Sequence, residues 1–324
     1  MEIHDQIIKT CKSEDPNVRR ASAVALGNMG VTQAKGPLAA LLKDKFPVVK
    51  EAAINALAKL NATEVVEHLT AMLNPEDGDV RKAILQTVSS KTPPQDQKQE
   101  EQAAMGLTPE KLLEQWKVKR AAALALCKLN PDVAVAPLIA ALGHDNINVK
   151  VASIAGLGNM ESQVAGPKLL ELIGSESWEI RKAVATALGK IKYEPAIGPL
   201  VELLKDSRFV VRIEAVIALN HFKSLDILGP LSQVIAEDDN LDVKRTAVIA
   251  LGNLQTEYAI PSLTQACSDP AWQVRKAAIT ALSSLRFPQV LEPMIVALTD
   301  ENEEVSHVAA LAYPKVAAAI ESTL

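Results

Sequence analysis

Aromatic residues make up only 3% of this 324-residue sequence. Sheets built from bulky, branched side chains use more of them, whereas the abundant alanine suits helices packed at close range. Cysteine is sparser still. Cys11, Cys127 and Cys267 are far apart, odd in number and outside any C-x-x-C pair, which argues against a disulfide framework or a zinc site and fits a reducing cytoplasm. No stretch approaches the roughly 18 uncharged apolar residues of a spanning helix, and the opening MEIHDQIIKTCK lacks the basic-then-apolar order of a signal segment, so no membrane insertion is expected. An excess of positive charge is also missing: the net charge of −5 gives no general attraction for nucleic acid or anionic lipid. There is no H-E-x-x-H, no G-x-S-x-G and no phosphate-binding loop, and Gly156-Leu157-Gly158 lacks the third glycine and the preceding strand of a dinucleotide site. His4, His68, His144, His221 and His307 are scattered and none precedes a glutamate, so each reads as a surface or boundary residue. With 48% apolar and 23% charged residues the chain is nevertheless no disordered polymer, and all-α is the class its composition favours.

What the sequence does have is a period. A branched apolar residue followed by a basic one recurs at Val18-Arg19, Val49-Lys50, Val80-Arg81, Val118-Lys119, Val149-Lys150, Ile180-Arg181, Val211-Arg212, Val243-Lys244 and Val274-Arg275; a tenth unit at Val305-Ser306 loses the base. Successive anchors lie 31, 31, 38, 31, 31, 31, 32, 31 and 31 residues apart. Counting the anchor as 0, apolar or small residues follow at +3, +4, +7, +8 and +11, the buried stripe of one helix. A second helical segment, such as AIGPLVELLKDS at 196–207, precedes each anchor, so each unit is a helix pair. Pro37, Pro137, Pro167, Pro199, Pro230, Pro261 and Pro293 fall early in that first helix, where a missing amide costs little. Asp15, Asp77, Asn146, Ser177, Asn240 and Asn302, three residues before their anchors, are placed to cap the second helix. Gly27, Gly158, Gly189 and Gly252 near its end permit either a tight approach or the start of a helix stop.

These residues, with Asp44, Asp206, Asp238, Asp269 and Asp300 five before the anchor, make up a D-x-x-x-x-V-R-x-x-A-x-x-A-L-G pattern. The chain resembles HEAT-repeat proteins, specifically the short HEAT-like type first associated with phycobilisome lyases (PBS-lyase HEAT-like), over nearly its whole length. The resemblance implies a single right-handed, armadillo-like α-solenoid of about ten helix pairs over residues 1–324. It also implies that the turn aspartate and the +1 base form a ladder between neighbouring units; Asp206 with Arg212 and Asp269 with Arg275 match that pattern, and Arg181 has Glu176 or Asp206 as its acceptor. The ladder would offset the penalty that a helix dipole places on a cation in the first turn. The last unit has no further neighbour, so Glu303, Glu304 and Ser306 suit a polar outer cap.

One unit departs from the period. The segment 91–107, polar and rich in Pro and Gln, reads as an insertion loop between repeats 3 and 4, either a hinge or partner contact or a tolerated surface insertion. Thr108-Pro109-Glu110 resembles a helix start, with a shortened first helix at 109–115 resuming the array.

The second cation of each unit has no ladder role. Arg20, Lys82, Arg120, Lys182, Arg245 and Lys276 stand at +2, with Glu51 the one acid there, and Lys59, Lys128, Lys190 and Lys315 at +10. Positions +2, +6 and +10 share one stripe of the second helix, the side that lines the concavity in the arrays the chain resembles. At +6 stand Val24, Leu124, Ile217, Ile249 and Leu311, either an apolar centre for docking or residues covered by curvature. An apolar centre with a positive surround suits an acidic protein partner or an anionic ligand; nucleic acid is disfavoured because the stripe carries no interleaved aromatics. Trp116, Trp178, Phe209 and Trp272 share the position two before the anchor and form a ridge that either closes the core edge or offers contact hot spots.

Two functions follow. The first is a non-catalytic, cytoplasmic scaffold for protein binding that grips an acidic partner without cofactor or metal. The second, implied by the resemblance, is a phycobilin lyase subunit or accessory that holds a tetrapyrrole for attachment to a phycobiliprotein, its propionates paired with Arg or Lys of the stripe. Few aromatics are available to sandwich a bilin, Tyr313 alone lying near the stripe, and this favours the scaffold.

Overall fold

The computed structural model describes residues 3–73, 109–129 and 131–322, and every regular element among them is a helix. The chain divides into two compact units, Met1–Lys168 and Leu169–Leu324. The first holds α1 (Ile3–Thr10), α2 (Pro16–Asn28), α3 (Lys35–Leu41), α4 (Pro47–Lys59), α5 (Val66–Met72), α6 (Pro109–Leu129), α7 (Pro131–Ala141) and α8 (Ile147–Asn159), and α9 (Gly166–Leu170) spans the division. The second holds α10 (Trp178–Ile191), α11 (Ile197–Glu202), α12 (Phe209–Asn220), α13 (Leu228–Glu237), α14 (Leu241–Asn253), α15 (Ile260–Ala266), α16 (Trp272–Ser284), α17 (Leu291–Ala297) and α18 (Glu303–Glu321). Odd-numbered helices are the first of a pair and even-numbered helices the second. Within the first unit α2, α4, α6 and α8 stack in that order, and within the second α10, α12, α14, α16 and α18 do the same. This is the all-α, solenoid-type stacking that the period predicts.

The stripe explains the stacking. In α10 the anchor Ile180 and Val184, Ala187, Leu188 and Ile191 are buried, as the 0, +4, +7, +8, +11 pattern requires. From the first helices Leu38, Leu69, Leu138, Leu200, Leu231 and Leu263 are fully buried against them; each such leucine is worth about 2 kcal/mol relative to exposure. Asp15, Asn146, Ser177, Asn240 and Asn302 accept the amides that capping requires, whereas Asp77 lies outside the described residues.

Two expectations are corrected. The segment 109–115 is no separate first helix: α6 runs unbroken from Pro109 to Leu129, because no glycine or proline follows Pro109 to stop it. This helix packs on α4 and pairs with α5, so the helix of anchor Val118 takes the place beside α4. Anchor Val80-Arg81, Lys82 and the segment 91–107 lie outside the described residues. The second correction removes one of the two readings of the glycines, which do not stop helices. The left-handed turn comes later, at Gly30, Asn61, Glu161, Lys192, Lys223 and Gln255, twelve residues after each anchor. Gly27, Gly189 and Gly252 serve close approach instead: a Cβ on Gly189 would lie 2.6 Å from Ala218 Cα, and one on Gly252 2.8 Å from Ala281 Cβ. In the α6–α8 pair the roles invert, with Cys127 at +9 filling the space that Gly156, at +7 of the next helix, leaves open.

The ladder holds successive pairs together: Arg181 takes Asp206, one of its two expected acceptors, whereas Arg212 and Arg275 do not take the expected carboxylates of Asp206 and Asp269 but those one unit further on. Arg181 donates from Nε and Nη2 to both carboxylate oxygens of Asp206, at 2.6 and 3.0 Å, and from Nη1 to the carbonyls of Ser175 and Glu176 at 2.8 and 2.9 Å. Arg19 with Asp44, Arg212 with Asp238, Lys244 with Asp269 and Arg275 with Asp300 repeat this, each cation reaching the aspartate of the following pair. Asp206 therefore does not bind Arg212 through its carboxylate; it offers Arg212 only its carbonyl oxygen, at 3.0 Å, and Asp269 does the same for Arg275. The geometry demands this, since Arg212 leaves its helix toward the next pair. The last described pair is polar only in part, since Ile295 and Val296 of α17 and the following Leu298 are exposed.

Candidate functional site

The second helices leave one line of residues uncovered. At +6, Val24, Leu124, Ile217, Ile249 and Leu311 are all exposed, with 45, 42, 38, 51 and 55% of their surface in solvent. Curvature does not bury them, so of the two readings of this position the covered one is overturned. Around them Arg20, Lys59, Arg120, Lys128, Lys190, Arg245 and Lys315 are exposed, and Lys182, Lys276 and Glu51 half-exposed. Each compact unit thus presents its own mixed stripe: Arg20, Val24, Lys59, Arg120, Leu124 and Lys128 on the first, and residues from Lys182 to Lys315 on the second.

The charges on these stripes are not all available. Lys182 lies 3.7 Å from Glu214, Arg245 3.1 Å from Asp242 and Lys276 2.7 Å from Glu304. These acids stand at −1 or +3, off the line on which the sequence pattern counted charge, which is why that count missed them. Arg20, Arg120 and Lys128 have no carboxylate partner among the described residues. Lys59 donates to Asn28 Oδ1 at 2.6 Å, tying α4 to α2 across the stripe.

The aromatic ridge sits at the helix starts. Trp178, Phe209 and Trp272 open α10, α12 and α16, while Trp116 lies inside α6. The tryptophans are half-buried and Phe209 is exposed, so none is wholly core. Arg208 stacks over Trp178 at 5.8 Å and Lys276 over Trp272 at 6.0 Å, contacts that cover the outer ring faces.

Below the stripes the electrostatics are closed. Burial pushes the Asp44 and Asp206 carboxyls up, but hydrogen bonds from Arg19 and Arg181 and from the Phe46 and Arg208 amides, with the guanidinium charge, outweigh it and hold both below the usual carboxylate range. The Arg275 hydrogen bond does the same for Asp300. Burial pushes the Cys127 thiol up to about 11 and the Cys267 thiol to about 12. His144 is buried, where a surface or boundary residue was expected; it occupies the ladder-aspartate position, and its Nδ1 accepts the Asn146 amide at 3.0 Å as an aspartate would. A cleft of about 650 Å³ between α11 and α13 is lined by Lys205, Arg212, Gln233 and Asp238 among others, with Arg212 and Asp238 already joined in the ladder. Among the described residues, no helix is long and apolar enough to cross a membrane.

No curated protein matches the chain in sequence. Among solved structures, YibA of Escherichia coli is 19% identical over 90% of this chain and 96% of its own, with a TM-score of 0.54. An engineered protein is 17% identical over 99% of this chain and 91% of its own, with a TM-score of 0.51. The complex of CpcE and CpcF of phycocyanin lyase from Nostoc sp. PCC7120 is 17% identical over 100% of this chain and 96% of that one, but its TM-score of 0.38 carries no argument about a pigment. These likenesses concern the fold alone. HEAT repeats match at residues 5–89, 110–176, 135–220 and 227–313, which spans both compact units and nearly every helix described above. With the stacked pairs and the Arg–Asp ladder, that match establishes that the chain belongs to the HEAT-repeat family.

Proposed function

We propose that the chain is a non-catalytic, cytoplasmic scaffold that binds an acidic protein partner along the exposed stripes of its second helices. The observation that carries this reading is the exposure of all five apolar +6 residues within rows of cations. Branched apolar side chains left in water favour a partner that covers them, and flanking Arg and Lys select one rich in carboxylates. The three free thiols fit a reducing compartment.

The test is capture of partners by the wild-type chain and by Arg120→Ser/Lys182→Ser/Arg245→Ser, with bound proteins identified and their charge compared. Acidic proteins are expected with the wild type and should be lost from the variant and at high salt; recovery that ignores both changes rejects the reading. Mixing the chain with phycocyanobilin separates this reading from the pigment one. An unchanged pigment spectrum is expected, and a shifted, intensified band that vanishes in the same variant would replace the scaffold with a tetrapyrrole holder.

A further inference from the structure

The cations at +2 fall into two electrostatic states. In the carboxy-terminal unit Lys182, Arg245 and Lys276 each face an internal carboxylate, from Glu214, Asp242 and Glu304. In the amino-terminal unit Arg20, Arg120 and Lys128 are exposed without one among the described residues. An incoming carboxylate that must displace an internal one gains little, because a surface pair is lost for each pair made. A cation with no internal carboxylate to give up offers more of its attraction to the partner.

Three of the available groups lie in one row. Arg120, Leu124 and Lys128 follow at four-residue steps on α6, about 6 Å apart along the helix axis. Leu124, 42% exposed, stands between the two charges. On the parallel row of α2, Arg20 and Val24 offer the same charge-then-apolar order, and Glu51 on the intervening α4 makes no ion pair with either arginine. A partner matching the α6 row needs two carboxylates with an apolar side chain midway, at the same rise. A helix meets that need while satisfying its own backbone hydrogen bonds, whereas an extended peptide would find no strand edge among the described residues to pair with.

We infer that the acidic partner docks on the amino-terminal unit, as an amphipathic helix of Glu-x-x-x-Leu-x-x-x-Glu type laid along Arg120, Leu124 and Lys128. This rests on the scaffold reading and narrows it to one unit and one kind of partner. Of the carboxy-terminal +2 cations, Lys182 and Lys276 tie one second helix to the next through Glu214 and Glu304, and Arg245 pairs with Asp242 of its own helix.

The probe is a fluorescent, side-chain-stapled helical peptide with Glu, Leu and Glu at positions 1, 5 and 9 of a neutral background, titrated by anisotropy against the full chain. Saturable binding is expected, weakened about ten-fold or more in Arg120→Ser/Lys128→Ser and in Leu124→Ser, and less than about two-fold in Lys182→Ser/Arg245→Ser/Lys276→Ser. All the amino-terminal side chains changed are exposed, and circular dichroism checks that the variants stay helical. If the carboxy-terminal variant loses the peptide and the amino-terminal ones keep it, the assignment to α6 is overturned while the scaffold reading stands. If the wild type does not bind, or binds a single-stranded oligonucleotide of equal charge as tightly, both fall.

Discussion

Arg181 grips Asp206 of the following repeat through two parallel N–H···O bonds, and the same guanidinium holds two carbonyls of the turn before its own helix. A cation in the first turn of a helix is disfavoured by the dipole by a few tenths of a kcal/mol. The bidentate pair, nearly closed to solvent, outweighs that and joins two repeats at their turns. Arg181 is therefore structural.

Asp206→Ala removes the acceptor and strands Arg181 in a site where it is only 15% exposed. A loss of about 2–4 kcal/mol is expected, read as a lower midpoint in urea denaturation. An unchanged midpoint would mean the ladder adds nothing to stability.

The ladder also sets the acid limit. Asp44, Asp206 and Asp300 have lowered pKa values in the folded chain, so the unfolded chain binds protons first as pH falls. Their contribution is complete above about pH 4, the unfolded carboxylate value, and is lost as pH drops through the lower folded values. The stability gap between wild type and Asp206→Ala should accordingly narrow below about pH 4; a gap that stays constant into acid would deny charge a part in it.

Gly189→Ala would bring a methyl within 2.6 Å of the Ala218 Cα and force α10 and α12 apart. A cost of about 1–3 kcal/mol is expected, with partial recovery in Gly189→Ala/Ala218→Gly. The chain already contains the inverted arrangement at Cys127 and Gly156. Strictly additive losses in the double variant would show that the two positions do not share the space.

Asn220 stands at +9, where four other second helices carry glycine, and its Oδ1 is buried without a hydrogen-bond partner among the described residues. Asn220→Ala removes the unmet acceptor and favours helix, so a gain of up to about 1 kcal/mol is expected in thermal unfolding. A lower melting temperature would show that the amide makes an essential contact.

The thiols give a direct readout of packing. With Cys127 near 11 and Cys267 near 12, almost no thiolate exists at pH 8, so iodoacetamide should label neither until the chain unfolds. Rapid labelling under native conditions would show that these helices open locally.

Much of this was legible in sequence because repetition multiplies weak signals. A single Val-Arg pair means little, but its return at intervals of about 31 residues places the pairs and the caps; that the +6 line is exposed is decided by the packing. Residue-to-residue partnership was less legible. The pattern offered Asp206 both to Arg212 of its own unit and to Arg181 of the one before, and the folded chain gives the carboxylate to Arg181, because the side chain reaches across the stack and not along it. The continuous α6 was hidden for a similar reason: the period called for a break near residue 116, and the local sequence supplied no breaker.

The division between the two sources of information is physical. Which residues face inward is a property of helical periodicity, a matter of 3.6 residues per turn that any sequence displays on its own. Which cations remain available is decided by neighbours brought in from other repeats: Glu214 comes to Lys182 and Glu304 to Lys276, and no described carboxylate comes to Arg120. Charge acts through space over a few ångströms, so only the packed structure could show that two rows alike in sequence differ in what they offer a partner.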